Sequence, residues 1–224
     1  MLNFAAMSII IVQKSTAEKV ASLLLEVEAI KLNLNTPYTW SSGWLSPIYC
    51  DNRVTLSYPS VRTEIRNGLI SAIQGHFPTV EAICGVATAG IPQASLIADN
   101  LALPMSYVRS KPKGHGMENL IEGRVQKGQK VVVVEDLVST GGSSLRAVQA
   151  LRAADLDVLG MVSVFTYGFE IASTNFQLEN VKLVSLSDYN SLLIHAKAQG
   201  FLSDGELIML KSWRTDPENW RKKA

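Results

Sequence analysis

The sequence predicts an α/β fold in which helices flank a mostly parallel central sheet. One observation is that apolar segments of strand length alternate with segments whose apolar residues recur at helical spacing. Another is the run of four consecutive valines at 131–134, which fits a strand buried on both faces. Because parallel neighbours are joined by crossover connections, usually helices, both observations predict the same layered architecture.

The N-terminal part is predicted to combine one helix with irregular structure. Ser15 and Glu18 fit a capping box, and the apolar residues after them recur at helical spacing, which predicts a helix over 16–32. Residues 37–53 carry four aromatic side chains, two prolines and a Ser-Ser-Gly turn, which is typical of turns and short strands. A second helix is predicted over 60–77.

The rest of the chain alternates regularly. The predicted strands are 80–86, 105–109, 130–135, 158–167 and 181–186, and the predicted helices are 91–101, 143–154, 189–198 and 206–213. Residues 110–123 show no periodicity and are predicted to be a loop. Since no repeat, low-complexity tract or change of composition interrupts the sequence, we expect a single domain over residues 1–224.

The composition excludes several classes of protein. Hydrophobic residues are 47% and charged residues 18% of the 224, so the chain can build a core and is not a disordered polypeptide. The formal net charge of +1 argues against a protein that binds long nucleic acid through its overall charge. The apolar residues 1–12 are too few to cross a bilayer, so we expect a cytoplasmic protein with no membrane partner. Cys50 and Cys84 belong to no CxxC pair, which predicts two reduced, buried thiols rather than a zinc site.

The most informative segment is residues 135–143, here called the acidic loop. A predicted buried strand ends in Glu135 and Asp136, and hydroxyl and glycine residues then lead into a helix. Ligands of open parallel sheets bind beyond the carboxyl ends of the strands, and the free N–H groups of a helix N-terminus suit a phosphate. The segment lacks the spacing of a Walker P-loop and of GxGxxG. Adjacent carboxylates suit the vicinal hydroxyls of a ribose, so a phosphorylated sugar is the predicted ligand.

A second segment has an unusual charge. Residues 109–130 contain six Lys or Arg and two acids, a net charge of +4, whereas the rest of the chain sums to −3. Glycines and a proline interrupt it. The segment is therefore either a solvated charged loop or a lid that brings cations onto a polyanion such as pyrophosphate.

These two segments resemble a known family. The acidic loop is similar to the phosphoribosyl diphosphate (PRPP) binding motif of type I phosphoribosyltransferases. The spacing of Arg109, Lys113 and His115 is similar to the flexible catalytic loop of orotate phosphoribosyltransferases, which in that family reaches the other active site of a dimer. Residues 40–49 are similar to the family's N-terminal segment, and 85–91 to its pyrophosphate loop.

The resemblance implies a fold, an activity and a site. It implies the type I phosphoribosyltransferase fold, with a small N-terminal hood mainly within 1–58 and a flexible loop at 110–123. It implies a glycosyltransferase that moves the 5-phosphoribosyl group from PRPP to orotate in pyrimidine (UMP) biosynthesis, giving orotidine 5′-monophosphate and pyrophosphate. The implied cofactor is Mg²⁺, held through PRPP with no direct protein ligand, and the implied assembly is a homodimer with shared active sites.

The implied site residues fall into three groups. Catalytic roles fall on Lys113, Asp136, Arg109 and His115. PRPP binding falls on Arg109, Lys113, His115, Glu135, Asp136, Leu137, Val138, Ser139, Thr140, Gly141, Gly142 and Ser143. Orotate binding falls on Ser139 and on Tyr49, for which a plain core position is the alternative.

The sequence also departs from the family pattern. Some members carry a lysine where Ser41 or Ala89 stands, and an arginine in the segment that here is 166–170. The orotate carboxylate would therefore need other donors, such as Arg53 or backbone amides. Two alternatives stay open: a type I phosphoribosyltransferase for another base, such as a purine, and a regulatory protein that keeps the fold as a PRPP sensor and binds nucleic acid.

Overall fold

A computed structural model describes residues 9–40, 42–111 and 120–221. Within these residues the strands are β1 Ile9–Ile11, β2 Ile30–Leu32, β3 Tyr38–Thr39, β4 Leu45–Ser46, β5 Ile48–Cys50, β6 Ala82–Val86, β7 Met105–Val108, β8 Ile121–Glu122, β9 Lys130–Val138, β10 Asp157–Thr166 and β11 Leu183–Asp188. The helices are α1 Lys14–Glu26, α2 Pro59–His76, α3 Gly90–Leu101, α4 Gly142–Ala153, α5 Glu170–Leu178, α6 Tyr189–Ala198 and α7 Asp204–Thr215, with a 3-10 helix at Asn52–Ser57.

The central sheet of the described residues has seven strands in the order β1-β11-β10-β9-β6-β7-β8. All neighbours are parallel except β7 and β8. The chain leaves β6 to form β7 on one side and later returns to form β9 on the other side of β6. The order of the strands therefore reverses between β6 and β9, and their carboxyl ends form the crevice where open α/β sheets bind ligands.

The valine run explains the layers. Val131 and Val133 pack with α4 and α5 on one face of the sheet. Val132 and Val134 pack on the other face with residues of α1, α2, α3 and α6. Successive side chains of a strand point to opposite faces, so a strand covered on both sides needs apolar residues at every position. The predicted α/β fold with a mostly parallel sheet is confirmed.

The N-terminal segment forms two small antiparallel ribbons, β2 with β5 and β3 with β4. The predicted helix over 16–32 is wrong in its last part, because α1 ends at Glu26 and Ile30 begins a strand. Glu28 has a left-handed φ of 55°, which ends the helix. Ile30 is buried in the strand as it would be in a helix, so the apolar pattern continued across the break.

Three further predictions need correction. Strand β9 runs to Val138, so the acid pair lies inside the strand rather than at its end. A short strand, β8, pairs with β7 inside the predicted 110–123 loop, and α5 was not predicted. Cys84 is buried as expected, whereas Cys50 is only half-buried. In the part of the chain that the structure describes, no helix is long and apolar enough to cross a membrane.

Candidate active site

The acid pair, Glu135 and Asp136, lies on β9 beside the crevice where the strand order reverses between β6 and β9. Glu135 is 6% exposed, and its carboxyl group accepts hydrogen bonds from Ser144 Oγ at 2.9 Å and from the Asp136 amide at 3.1 Å. Burial, with the neighbouring Asp136 charge, raises the pKa of Glu135 well above its usual value. Ser144 was not predicted to be part of the site; its place beside Glu135 depends on how α4 folds back against β9.

Asp136 is half-buried and is the more accessible acid of the pair. Burial also raises the pKa of Asp136, while hydrogen bonding within the acid pair, two main-chain amides and the charge of Arg53 oppose that rise. The two carboxyls are thus close enough to compete for protons. With both pKa values raised, the pair can hold a proton that two isolated carboxylates would release.

The glycines of the acidic loop allow it to approach a ligand closely. Gly141 has a φ of 83°, and a Cβ there would lie 2.7 Å from the ring of Phe176. Both the backbone conformation and the space require glycine. Gly141 is the N-cap of α4, and it has no side chain that could accept a hydrogen bond from the first N–H groups of the helix. The first N–H groups of α4, next to the exposed Ser143, are therefore placed to bind an anion.

The unpredicted helix α5 supports this loop from below. Asn175 Nδ2 donates to the main-chain oxygen of Thr140 at 3.0 Å. Phe176, also from α5, is fully buried under Gly141. The conformation of the acidic loop therefore depends on two side chains more than 30 residues further along the chain.

A cavity of about 430 Å³, here called the aromatic cavity, opens beside the acidic loop. Four aromatic rings line it, together with Leu137, Ser139, Thr140, Cys50 and two further hydroxyl residues of the N-terminal segment; the rings are Trp40, Trp44, Tyr49 and Tyr167. The Trp40 and Tyr167 rings lie 5.0 Å apart. Tyr49 is 41% exposed, which excludes the alternative that it is a core residue. A flat apolar ring with polar edges fits such a cavity.

Asn52 joins the cavity to the acid pair, and the sequence did not single it out. Asn52 is 1% exposed. Its Nδ2 donates to the main-chain oxygen of Asp136 at 2.7 Å, and its Oδ1 accepts from Cys50 Sγ at 3.4 Å. One amide thus connects a residue of the cavity wall to the backbone of the acid pair.

Two further residues predicted for the site are not among those that line the aromatic cavity. Val138 is fully buried, and its carbonyl oxygen accepts from Thr166 Oγ1 and from the Tyr167 amide, both at 3.1 Å. Arg53 Nε lies 2.6 Å from Asp51 Oδ1, and Arg53 is not among the residues that line the aromatic cavity.

The basic segment is described only at its ends. Arg109 follows β7 at the same edge of the sheet, and its guanidinium lies 3.0 Å from the carboxylate of Glu122. The predicted site residues Lys113 and His115 lie outside the described residues, as does Ser41.

The loop between β6 and α3 lies on the other side of the crevice between β6 and β9. It runs over residues 87–89 and contains a cis peptide bond between Ala87 and Thr88. A Cβ at Gly90 would collide with the main-chain oxygen of Val134, so glycine lets the N-terminus of α3 lie directly against β9. The N-termini of α3 and α4 therefore begin at the same edge of the sheet, on either side of the crevice between β6 and β9.

Comparison with known proteins defines the class. The family model described as a phosphoribosyl transferase domain matches residues 63–187, more than half of the chain. The matched range contains the β6–α3 loop, the basic segment and the acidic loop. The chain is thus a phosphoribosyltransferase by its fold and family.

Individual relatives are more specific. The chain is 54% identical over 205 residues to orotate phosphoribosyltransferase of Cytophaga hutchinsonii, covering 92% of this chain and 98% of that protein. It is 55% identical over 202 residues to orotate phosphoribosyltransferase of Bacillus cereus, covering 90% of this chain and 96% of that protein. The crystal structure of orotate phosphoribosyltransferase from Aeropyrum pernix matches with a TM-score of 0.71 and 30% identity, covering 82% of this chain and 99% of that one. The chain belongs to the orotate phosphoribosyltransferase family.

Proposed function

We propose that this protein transfers the 5-phosphoribosyl group of PRPP to orotate, giving orotidine 5′-monophosphate and pyrophosphate in pyrimidine biosynthesis. The observation that carries the proposal is that the aromatic cavity lies beside the acidic loop. Leu137, Ser139 and Thr140 of that loop line the cavity. A base in the cavity would lie next to a ribose 5-phosphate on the loop. The names of relatives at more than 50% identity support orotate as the base.

Different groups of the acidic loop bind different parts of PRPP. The uncapped N-terminus of α4, with Thr140, Ser143 and the glycines, supplies N–H and O–H donors for the 5-phosphate. Asp136, the accessible acid, accepts hydrogen bonds from the ribose hydroxyls. Glu135 is held against Ser144 and contributes mainly through its effect on Asp136 and on the local charge.

The reaction breaks the bond between the anomeric carbon of ribose and pyrophosphate and forms a bond from that carbon to a ring nitrogen of orotate. Positive charge develops on the ribose, beside the Glu135–Asp136 pair. Negative charge develops on pyrophosphate, which Lys113, His115 and Arg109 would neutralise, as the resemblance implies. The charge of orotate is on its carboxylate, so the reacting ring nitrogen must lose its proton as the new bond forms, and Asp136 is the residue suited to accept that proton.

The residues present are compatible with Mg²⁺ carried by the substrate. Among the described residues no group of three or more His, Cys, Asp or Glu could hold a metal ion. Within the acid pair, only the Asp136 carboxylate is accessible, since Glu135 is buried. Mg²⁺ keeps several waters and binds through one or two carboxylates plus substrate phosphates. When bound to PRPP, the ion would supply charge neutralisation at the pyrophosphate.

The orotate carboxylate needs donors other than Arg53. Ser139 reaches the cavity from the acidic loop, and Ser42 reaches it from the N-terminal segment. Hydroxyls and main-chain amides of these residues are the donors we assign to the carboxylate. Tyr49 is the ring that contacts the pyrimidine.

Location and assembly are further parts of the proposal. A homodimer with shared active sites rests on the resemblance of the basic segment to the family's loop. A cytoplasmic location is supported by the two free cysteines, which suit a reducing compartment. One domain over residues 1–224, with hood elements mainly within 1–58, fits the shared core of the N-terminal segment and the sheet.

An absorbance assay tests the reaction. The purified protein is mixed with PRPP, Mg²⁺ and either orotate or adenine, and consumption of the base is followed. Orotate consumption without adenine consumption is the expected result. Consumption of adenine alone would show a purine enzyme, whereas PRPP binding without consumption of any base would support the sensor. Lys113→Ala should lower kcat by about 100-fold or more if this lysine neutralises the leaving group.

A further inference from the structure

The wall of the aromatic cavity that follows β10 is a short turn held by an arginine from the last helix. Arg214 Nε donates to the Tyr167 oxygen at 3.0 Å, and Arg214 Nη2 donates to the Gly168 oxygen at 2.6 Å. Gly168 has a φ of 62°, so its backbone is free to take other conformations once these bonds are lost. Tyr167 lines the cavity and lies 5.0 Å from the Trp40 ring.

The residue before Arg214 holds the opposite wall. Trp213 is fully buried and donates its indole N–H to the Leu45 oxygen at 3.0 Å, in the N-terminal segment. Its ring packs edge-on against Trp40 at 5.6 Å and against Tyr167 at 5.9 Å. Two consecutive residues of α7 therefore fix both walls of the cavity relative to each other.

We propose that Arg214 is a positioning residue for the base, acting through the Tyr167–Gly168 turn. The inference rests on the proposed function, since it assigns the aromatic cavity to the pyrimidine. The planar guanidinium has the donor geometry to bind two successive carbonyls, which a lysine lacks. Arg214 lies outside residues 63–187, the range that the family model matches. Arg214 itself donates no hydrogen bond to the acidic loop, whereas the turn does so through the Tyr167 amide and the Val138 oxygen, so the effect of Arg214 on the base should exceed its effect on PRPP.

The matched control is Arg152, which also binds two successive carbonyls. Its Nη1 donates to the Glu179 oxygen at 2.8 Å and its Nη2 to the Asn180 oxygen at 3.3 Å, at the far end of α5 from the cavity. Arg214→Gln and Arg152→Gln thus remove the same kind of interaction from opposite ends of one helix. Arg152 is not part of the site described above.

Steady-state kinetics of Arg214→Gln, Arg214→Lys and Arg152→Gln test the proposal. In Arg214→Gln the KM for orotate should rise about tenfold, while kcat and the KM for PRPP change less than about twofold. Arg214→Lys should keep most of the defect, and Arg152→Gln should keep wild-type constants. An unchanged orotate KM in Arg214→Gln, an equal rise in Arg152→Gln, or full rescue by lysine would each overturn the proposal.

Hydrogen exchange on the free protein separates this inference from the proposed function. Amides of residues 166–170 should exchange faster in Arg214→Gln than in wild type, and not in Arg152→Gln. If the wild type fails to consume orotate, the proposed function fails, and exchange then decides whether Arg214 positions the turn. Equal protection of residues 166–170 in wild type and Arg214→Gln would overturn the positioning role itself.

Discussion

The acidic loop and the aromatic cavity meet at Ser139 and Thr140, yet they are built differently. The acidic loop is one stretch of nine consecutive residues, with its chemistry in main-chain N–H groups and two adjacent acids. The cavity takes its walls from the N-terminal segment, from β9 and its loop, and from the turn after β10, with α7 behind them. A contiguous loop depends on backbone conformation, whereas an assembled cavity depends on how distant elements pack.

This difference predicts which substrate each substitution affects. Changes in the acidic loop should weaken PRPP, and changes in the cavity walls should weaken the base. Asn52 lies between the two regions and should affect both substrates. The substitutions of Gly141, Asn52 and Tyr49 test this division, and the substitution of Glu135 tests the acid pair by itself.

Gly141→Ala should give the largest defect. Alanine would be strained at a φ of 83° and would collide with Phe176, so the loop must move away from the phosphate. We expect the KM for PRPP to rise by about 100-fold or more, together with a loss of stability. Gly128→Ala is the matched control, since Gly128 has a φ of 76° with no atom within 4 Å of the added Cβ. It should lose only stability; a normal PRPP KM in Gly141→Ala would contradict the role of the loop.

Asn52→Ala should impair both substrates by about tenfold in kcat/KM, because it leaves the Asp136 carbonyl without the donor that lies at 2.7 Å. Thr55→Val controls for local stability. Thr55 Oγ1 donates to the Asn52 main-chain oxygen at 2.6 Å, so this variant weakens the same 3-10 helix without removing the amide. Thermal unfolding should show similar losses in the two variants, with kinetics altered only in Asn52→Ala. A defect limited to one substrate would show that Asn52 belongs to one region alone.

Tyr49→Ala should raise the KM for orotate by about fivefold and leave the KM for PRPP unchanged, because its exposed ring lines the aromatic cavity and is not part of the acidic loop. Tyr49→Phe keeps the ring and should behave like wild type. If Phe were as defective as Ala, the hydroxyl rather than the ring would bind the base. A change in PRPP binding would break the division between the regions.

Glu135→Gln should change the pH dependence of stability by about 1 kcal/mol, the smallest effect of the four. Since burial raises the pKa of Glu135, the native state keeps a proton that the unfolded chain releases above the ordinary glutamate pKa. The free energy of unfolding in wild type therefore falls as pH rises from the ordinary glutamate pKa towards the raised pKa of Glu135. In Glu135→Gln this fall should be smaller, as measured by urea unfolding at about pH 5 and about pH 8. The exposed Glu170→Gln should keep the wild-type dependence; an identical slope in Glu135→Gln would contradict the raised pKa.

The sequence by itself determined the layers of the fold and the acidic loop. The valine run requires a strand covered on both faces, and the order of acids, hydroxyls and glycines carries its chemistry in neighbouring residues. Such features can be predicted because the conformation and the functional groups lie in the same short stretch of backbone. The basic segment was identified in the same way, from its local charge.

Tertiary structure alone decided the rest. Asn52 meets Asp136 across 84 residues, and Trp213 meets Leu45 across 168. Helix α5 buries only Ala172 and Phe176 and contains β-branched and small polar residues, so neither periodicity nor propensity predicted it. These contacts exist because packing of the core brings distant side chains together, and a pattern within one segment contains no information about a partner that far away.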